Sequence, residues 1–434
     1  MMINVDDENF CIACKVIQTH FANKIIHNYH FINYGKLAQQ YHIVNFTFAP
    51  SIHNMHSQLE SLPYFSQALL YGPVAILALL ALIQLFYFLF VQLRLAMYKS
   101  TFTASTKPPV SVIVCARNEF DNLEKHLPSL LNQEYPQYQV VVVNDCSWDN
   151  SAKYLEQMAA THSQLKIVTI KEQEKYRHGK KFALTLGIKA AEHETLLLTD
   201  ADCTPASTNW ITETMACYQH DTNAVLGYGA YEKKPGFLNA LIRFDTAANA
   251  SLFLSQAIRG KAYMGVGRNL SYHKKIFFDN KGFANHQHLL SGDDDLFIND
   301  ISSQSKIEVC VNPEAFTYSV PKQTFGAWFT QKVRHVSTSK SYKTRDQRFL
   351  ATYHLTHILF WLCAIVLLAF QYQWQLVLAI IGLRMLLQWL VVGNCFARLK
   401  ENNIIWLIPI FDFIFVFIYP FVSLRSRFYK NKTW

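Results

Sequence analysis

The sequence predicts an α/β domain built on a mostly parallel sheet and flanked by transmembrane helices. Three observations carry this reading. From Pro108 onward, strand-type runs alternate with helix-type runs, the pattern of a parallel sheet covered by helices on both faces. Apolar runs long enough to cross a bilayer stand on either side of that stretch. The strands also end in carboxylates, most clearly in Leu196-Leu197-Leu198-Thr199-Asp200-Ala201-Asp202.

Residues 1–54 are rich in Asn, His, Ile, Phe and Tyr, lack periodicity and contain no signal-peptide core. They are expected to be a disordered leader or a non-native extension, with the functional start at or near Met55. Cys11-x-x-Cys14 and His27-x-x-His30 approach a zinc-finger spacing. The finger needs roughly three to five residues between its histidines, so zinc is not expected there. Residues 68–91 read ALLYGPVAILALLALIQLFYFLFV, uncharged and long enough for the ~30 Å hydrocarbon core. Arg94 and Lys99 follow, which puts the globular segment on the cytoplasmic side by the positive-inside rule.

The globular segment covers residues 108–321. Val110 to Ala116 is a strand, with Arg117-Asn118-Glu119 at its end, and Asn122 to Gln133 is an amphipathic helix. Val140 to Val143 is a second strand, running into Asn144 and Asp145, and Lys166 to Ile170 is a third. Gly179-Lys180-Lys181 then opens a helix that leads to the strand ending at Asp200. Residues 322–348 carry Lys322, Lys332, Arg334, Lys340, Lys343, Arg345 and Arg348 against Asp346 alone, the composition of an amphipathic segment lying on anionic headgroups. Residues 349–422 hold three apolar runs and hence two or three helices: Phe349 to Phe370, Trp374 to Gly393 with Arg384 inside it, and Ile404 to Val422 with Asp412, Pro409 and Pro420. The last run is expected to be re-entrant or interfacial. A full crossing would carry the basic end Arg425, Arg427, Lys430 and Lys432 to the outside.

Composition agrees with a membrane protein. Hydrophobic residues make up 51% of the 434 and charged ones 16%, too apolar for a purely soluble chain. The formal net charge of +9 comes from residues that flank lipid-facing runs, so it reads as a membrane-surface footprint and not a nucleic-acid one. The nine cysteines, odd in number and spread along the chain, make no disulfide framework. The expected location is the plasma (inner) membrane with the catalytic domain in the cytoplasm.

Alternate side chains of a strand point the same way, so Asp200 and Asp202 leave the strand end together. Two converging carboxylates make a hard-oxygen seat for Mg²⁺ or Mn²⁺, which can in turn hold a diphosphate. An Asp-x-Asp pair also occurs in ordinary strand-to-loop turns. Ligands of open parallel sheets bind beyond the strand ends, so Glu119, Asp145, Asp200 and Asp202 should line one crevice. That crevice is acidic, and the chain lacks both the G-x-G-x-x-G and the G-x-x-x-x-G-K-[ST] loops, which argues against dehydrogenases and P-loop NTPases.

The blocks PPVSVIVCARNE, VVVVNDCSWDNS, HGKKFALTLGIK, LLLTDADCTP, GVGRNLSY, SGDDDLFIND and QKVRH occur in that order. Together they resemble the family 2 glycosyltransferases with a GT-A fold, including membrane-embedded poly-N-acetylglucosamine, hyaluronan and cellulose synthases. The resemblance implies a nucleotide-sugar donor, a divalent metal and inversion at the anomeric carbon. It places Asp145 at the nucleobase and Glu119 near the uridine. Asp202 becomes the metal ligand, with Asp200 beside it near ribose and diphosphate, and Lys180 or Lys181 faces the donor. In Ser291-Gly292-Asp293-Asp294-Asp295-Leu296, Asp293 falls on the catalytic base and Asp294 is the alternative. An acceptor hydroxyl must lose a proton as it attacks, and adjacent aspartates raise one another's pKa. An acidic helix N-terminus is the bland reading of the same residues. Gln331-Lys332-Val333-Arg334-His335 matches a Gln-x-x-Arg-Trp block, which puts Gln331 and Arg334 at the donor, Arg334 as a fork for the leaving diphosphate, and His335 at the acceptor in place of Trp.

The resulting expectation is a membrane-bound inverting glycosyltransferase that moves a sugar, from a UDP-sugar by preference, to a lipid or saccharide acceptor at the cytoplasmic face. A processive polysaccharide synthase is the alternative enzyme. An inactive scaffold would have lost carboxylates that this chain keeps, and a transporter would need more intramembrane polar groups than Arg384 and Asp412.

Overall fold

The computed structural model describes residues 65–99, 107–171, 179–289 and 291–429. The leader and its Cys11, Cys14, His27 and His30 lie outside the described residues. Helix α1 (Phe65–Phe86) continues through a π-helical turn at Tyr87–Gln92 to Ala96. The domain that follows alternates β1 (Val110–Ala116), α2 (Phe120–Leu131), β2 (Tyr138–Asp145), α3 (Ser151–Thr161), β3 (Leu165–Ile170), α4 (Lys180–Ala190) and β4 (Thr195–Asp200). Its second half adds β5 (Cys203–Pro205), β6 (Thr222–Gly227), β7 (Gly229–Tyr231), α5 (Phe237–Ile258), β8 (Leu270–His273), α6 (Asp295–Ile301), β9 (Lys306–Cys310) and β10 (Thr317–Ser319). Helices α7 (Phe325–Thr338), α8 (Thr344–Ala369), α9 (Trp374–Arg398) and α10 (Ile408–Arg427) close the chain.

Seven strands form one sheet in the order β3-β2-β1-β4-β8-β6-β9, and β5-β10-β7 form a small second sheet. All neighbours in the large sheet are parallel except β8, which runs antiparallel to β4 and β6. This is the mostly parallel sheet that the alternating pattern predicts, and it fits the GT-A fold that the resemblance implies. Strand periodicity divides the core. Val110, Val112, Val114, Val140, Val142 and Leu197 point into one hydrophobic layer with α2, whereas Ile113, Leu196 and Leu198 point into the other with Leu184 and Ile188 of α4.

Two boundaries differ from the sequence reading. Helix α2 begins at Phe120 and ends at Leu131, because Phe120 N donates to Asp149 Oδ2 (3.0 Å) from the loop after β2, a cap that local pattern does not reveal. The basic stretch 322–348 is also not one interfacial unit. Thr344 to Arg348 form the first turns of α8, where buried Asp346 accepts from Asn299 Nδ2 (3.0 Å) and Arg345 Nε (2.8 Å).

Four helical segments are long and apolar enough to cross a membrane: Tyr71–Ala96, Thr344–Ala369, Trp374–Arg398 and Asn402–Arg427. The charges that interrupt two of them meet. Arg384 Nη1 lies 2.8 Å from Asp412 Oδ2, and Gln388, Trp361 and His357 also turn to the Asp412 carboxylate. Gln84 of α1 joins through Arg384 Nη2 (3.4 Å) and Thr356 (2.6 Å), so one buried polar cluster ties all four segments. It satisfies groups that hydrocarbon would leave unpaired.

Candidate active site

The parallel strands β1, β2 and β4 end side by side, Cys115 opposite Asp200 and Ala116 opposite Asn144. Their loops are laced together at left-handed residues, Asn118 (φ 54°) and Cys146 (φ 55°). Asn118 N donates to Ser147 Oγ (3.0 Å) and Trp148 N to Asn118 Oδ1 (3.0 Å). A cavity of about 320 Å³ opens here, lined by residues that include Asn118, Glu119, Trp148 and Asp149. Asp145 sits fully buried at the end of β2. Burial pushes the Glu119 carboxyl up although Asn122 donates to it, and Asp202 and Asp200 add to that push.

At the centre stands Lys180, the first residue of α4. Its Nζ lies 2.8 Å from Asp200 Oδ1 and 3.0 Å from Asp293 Oδ2. Burial disfavours the ammonium, but Asp200, Asp293 and Asp294 outweigh it and hold the pKa well above the ordinary value. Burial would likewise raise Asp200, yet the Lys180 contact wins and the carboxyl is lowered. Asp202 is raised, by burial first and by Asp200 second. Lys181 turns elsewhere: its Nζ donates to the carbonyls of His286 (2.8 Å) and Leu289 (3.0 Å). The basic residue that faces the carboxylates is therefore Lys180.

The three aspartates after Gly292 divide their work. Asp294 caps α6, accepting from Asp295 N (2.8 Å) and from Gly267 N (2.7 Å). Asp295 accepts from Thr338 Oγ1 (2.5 Å), Tyr342 OH (2.8 Å) and Leu296 N (2.7 Å), which locks α6 to the end of α7. Asp293 keeps its Lys180 contact and faces Asp200 across it. Burial, then Asp293 and Asp295, push the Asp294 carboxyl up to about 7.

Helix α7 brings the QKVRH block over the same edge. Arg334 Nε is buried without a hydrogen-bond partner among the described residues, and the guanidinium helps lower Asp200. Gln331 Nε2 reaches Tyr231 OH (3.3 Å) and not the aspartates. His335 retains solvent-exposed surface, while desolvation by the surrounding protein, then Arg334 and Lys332, hold its pKa down and keep it neutral near pH 7. Sequence reading missed Arg268. Its guanidinium stacks over Tyr231 at 4.3 Å, donates to Ser319 Oγ (2.6 Å), and bears electrostatically on Asp200 and Asp202. It stands in the GVGRNLSY block, where no neighbouring residue signals its role.

Ligand atoms of Asp200, Asp202 and Cys203 lie within 4.8 Å of one another. Cys203 Sγ donates to Asp202 Oδ1 (3.4 Å), and burial keeps that thiol protonated, so the oxygens are the donors on offer. Such a set fits a hard divalent cation such as Mg²⁺ or Mn²⁺.

Residues 111–278 match the sequence profile of glycosyl transferase family 2. That stretch is a glycosyltransferase family 2 segment. Among curated proteins, the chain is 29% identical over 192 residues to glycosyltransferase AglE of Haloferax volcanii, covering 44% of itself and 60% of that protein. It is 24% identical over 250 residues to the poly-beta-1,6-N-acetyl-D-glucosamine synthase of Staphylococcus epidermidis, covering 55% and 56%. The matches thus span little more than half the length of these relatives. A mannosyltransferase from Pyrobaculum calidifontis, solved with GDP-Man and Mn²⁺, shares the fold with a TM-score of 0.51 at 18% identity, over 76% of this chain and 97% of that one.

Proposed function

We propose that this protein is a membrane-bound inverting glycosyltransferase that moves a sugar from a nucleotide-sugar, a UDP-sugar by preference, to a hydroxyl of a lipid or saccharide at the cytoplasmic membrane face. The observation that carries the reading is Lys180 between Asp200 and Asp293, because it holds the carboxylate assigned here to the donor side within one side chain of the carboxylate assigned as base. In this scheme Glu119 and Asp145 take the nucleoside. Asp200 and Asp202 hold Mg²⁺ or Mn²⁺, and a bound cation would supply positive charge for the diphosphate. Asp293 accepts the proton of the attacking hydroxyl. Arg334, with an unpartnered Nε, and Gln331 meet the leaving diphosphate, where a fixed fork of donors stabilises developing charge. Neutral His335 offers a ring face to the acceptor, with less apolar area than an indole.

The likeness to a poly-N-acetylglucosamine synthase favours a second reading, processive polymer synthesis. One experiment separates the two. Purified protein in lipid vesicles is given a panel of UDP- and GDP-sugars with membrane lipid extract and Mg²⁺ or Mn²⁺, and products are identified by mass. A single or short sugar addition to lipid is expected, and a long homopolymer selects the synthase. Nucleotide diphosphate should bind more tightly with metal in the wild type, with that difference lost in Asp202→Ala. Equal binding with and without metal in the wild type removes the metal assignment.

A further inference from the structure

We infer that α10 does not cross the bilayer: it lies along the membrane surface on the catalytic-domain side, as an amphipathic helix whose outer face contacts the lipid of that leaflet. Length and composition would let it cross, but its contacts decide otherwise. Just before it, Lys233 Nζ donates to Lys400 O (2.6 Å), and Arg243 Nε of α5 to Glu401 Oε2 (3.0 Å), both partners of that ion pair being buried; at its first turn, Phe411 packs edge-on to Phe237 at the start of α5 (5.4 Å). At its trailing end, Lys340 Nζ donates to Ser426 O (2.9 Å). Lys233, Arg243 and Lys340 all belong to the catalytic domain or its α7 extension. Twenty residues of helix measure about 30 Å, so a crossing α10 would place one end a full hydrocarbon thickness away from the domain. Both ends rest on it instead.

The middle of the helix agrees. Phe415 stacks on Phe244 of α5 (5.6 Å) and meets Trp328 of α7 (6.4 Å), and Tyr419 OH donates to Asp245 (3.2 Å). The apolar cluster built by Val74, Leu77, Ala364, Leu367 and Val377 of the other three segments receives only Phe413 and Val416 from α10. The opposite face exposes Ile410, Phe417, Phe421 and Leu424, at helical spacing, beside exposed Arg425 and Arg427. Aromatic and aliphatic groups on one face with arginines at its edge suit the boundary between acyl chains and anionic headgroups. So placed, α10 braces from below the helix that carries Arg334 and His335, and Arg425 and Arg427 stay on the catalytic side.

The placement is tested without any assay of activity. Single cysteines are introduced at exposed positions as Glu156→Cys on α3, Trp374→Cys at the opposite end of the bundle and Phe428→Cys after α10. A membrane-impermeant maleimide is applied to sealed vesicles of one orientation and then of the other, with the unsubstituted chain as background and detergent-solubilised labelling as control. Phe428→Cys is expected to label from the same side as Glu156→Cys, and Trp374→Cys from the opposite side. Labelling of Phe428→Cys together with Trp374→Cys would show a crossing helix, and labelling from neither side would put that end inside the bilayer. Either result overturns the inference.

Discussion

At the scale of single residues, the proposed chemistry turns on which aspartate of the acidic block is left to react. Asp294 and Asp295 spend their oxygens on backbone amides and hydroxyls, and Asp293 alone pairs with Lys180. Asp293→Asn should therefore keep nucleotide-diphosphate affinity and lower the transfer rate by roughly 10²–10⁴, the contribution of a positioned base. Asp294→Asn should cost much less in rate. Rates at saturating donor decide: a near-normal Asp293→Asn beside an inactive Asp294→Asn would shift the base by one residue. The raised Asp294 pKa makes a separate claim about stability. Unfolded, this carboxyl ionises near 4, and folded, at about 7, so between these values the folded state holds the extra proton. Stability from this group is therefore lost as pH rises through that window. Melting curves of the wild type and of Asp294→Asn should diverge across it, with the wild type falling faster. Parallel curves would mean that the folded carboxyl ionises at its ordinary pH.

At the scale of elements, α4 must sit close against the sheet to deliver Lys180. Gly187, two turns further on, makes this possible. A Cβ at that position would lie 2.8 Å from Val143 Cγ2 and 2.9 Å from Ile113 Cγ2, closer than side chains pack. Gly187→Ala should push the helix outward, at a cost of about 1–3 kcal/mol for overpacking, and weaken donor binding by displacing Lys180. Adding Val143→Ala removes the nearer of the two clashes and should restore part of both the melting temperature and the donor affinity. A Gly187→Ala protein with wild-type values of both would show that α4 has slack.

At the scale of the whole molecule, the buried Arg384–Asp412 pair is the joint between the membrane segments and α10. Removing one partner leaves an uncompensated buried charge, for which about 3–5 kcal/mol is typical. Asp412→Ala should sharply lower the melting temperature in detergent, while the double variant Arg384→Met with Asp412→Leu should lose much less. If the single variant is as stable as the double, water or lipid headgroups reach the guanidinium and the cluster is not dry.

Much of this architecture is written locally. Apolar β-branched runs such as Val140 to Val143 declare strands, carboxylates at strand ends declare the crevice, and long apolar runs declare candidate membrane helices, because each depends on residues adjacent in the chain. The spacing of Asp200 and Asp202 likewise places both at one strand edge. What neighbours in sequence cannot reveal is partnership across the fold. Lys180 and Lys181 look alike until one meets Asp200 and Asp293 and the other the carbonyls at 286 and 289. Asp293, Asp294 and Asp295 become distinct only when Gly267, Thr338 and Tyr342 arrive from distant segments. Arg268 bears on the site only because β8 is inserted beside β4. The path of α10 is decided in the same way, by Phe237 and Lys340 at its two ends. Local pattern sets backbone state and burial through short-range sterics and the hydrophobic effect, whereas the reactivity of a charged group is set by whichever opposite charges and donors come within a few ångströms, and only the folded chain brings those together.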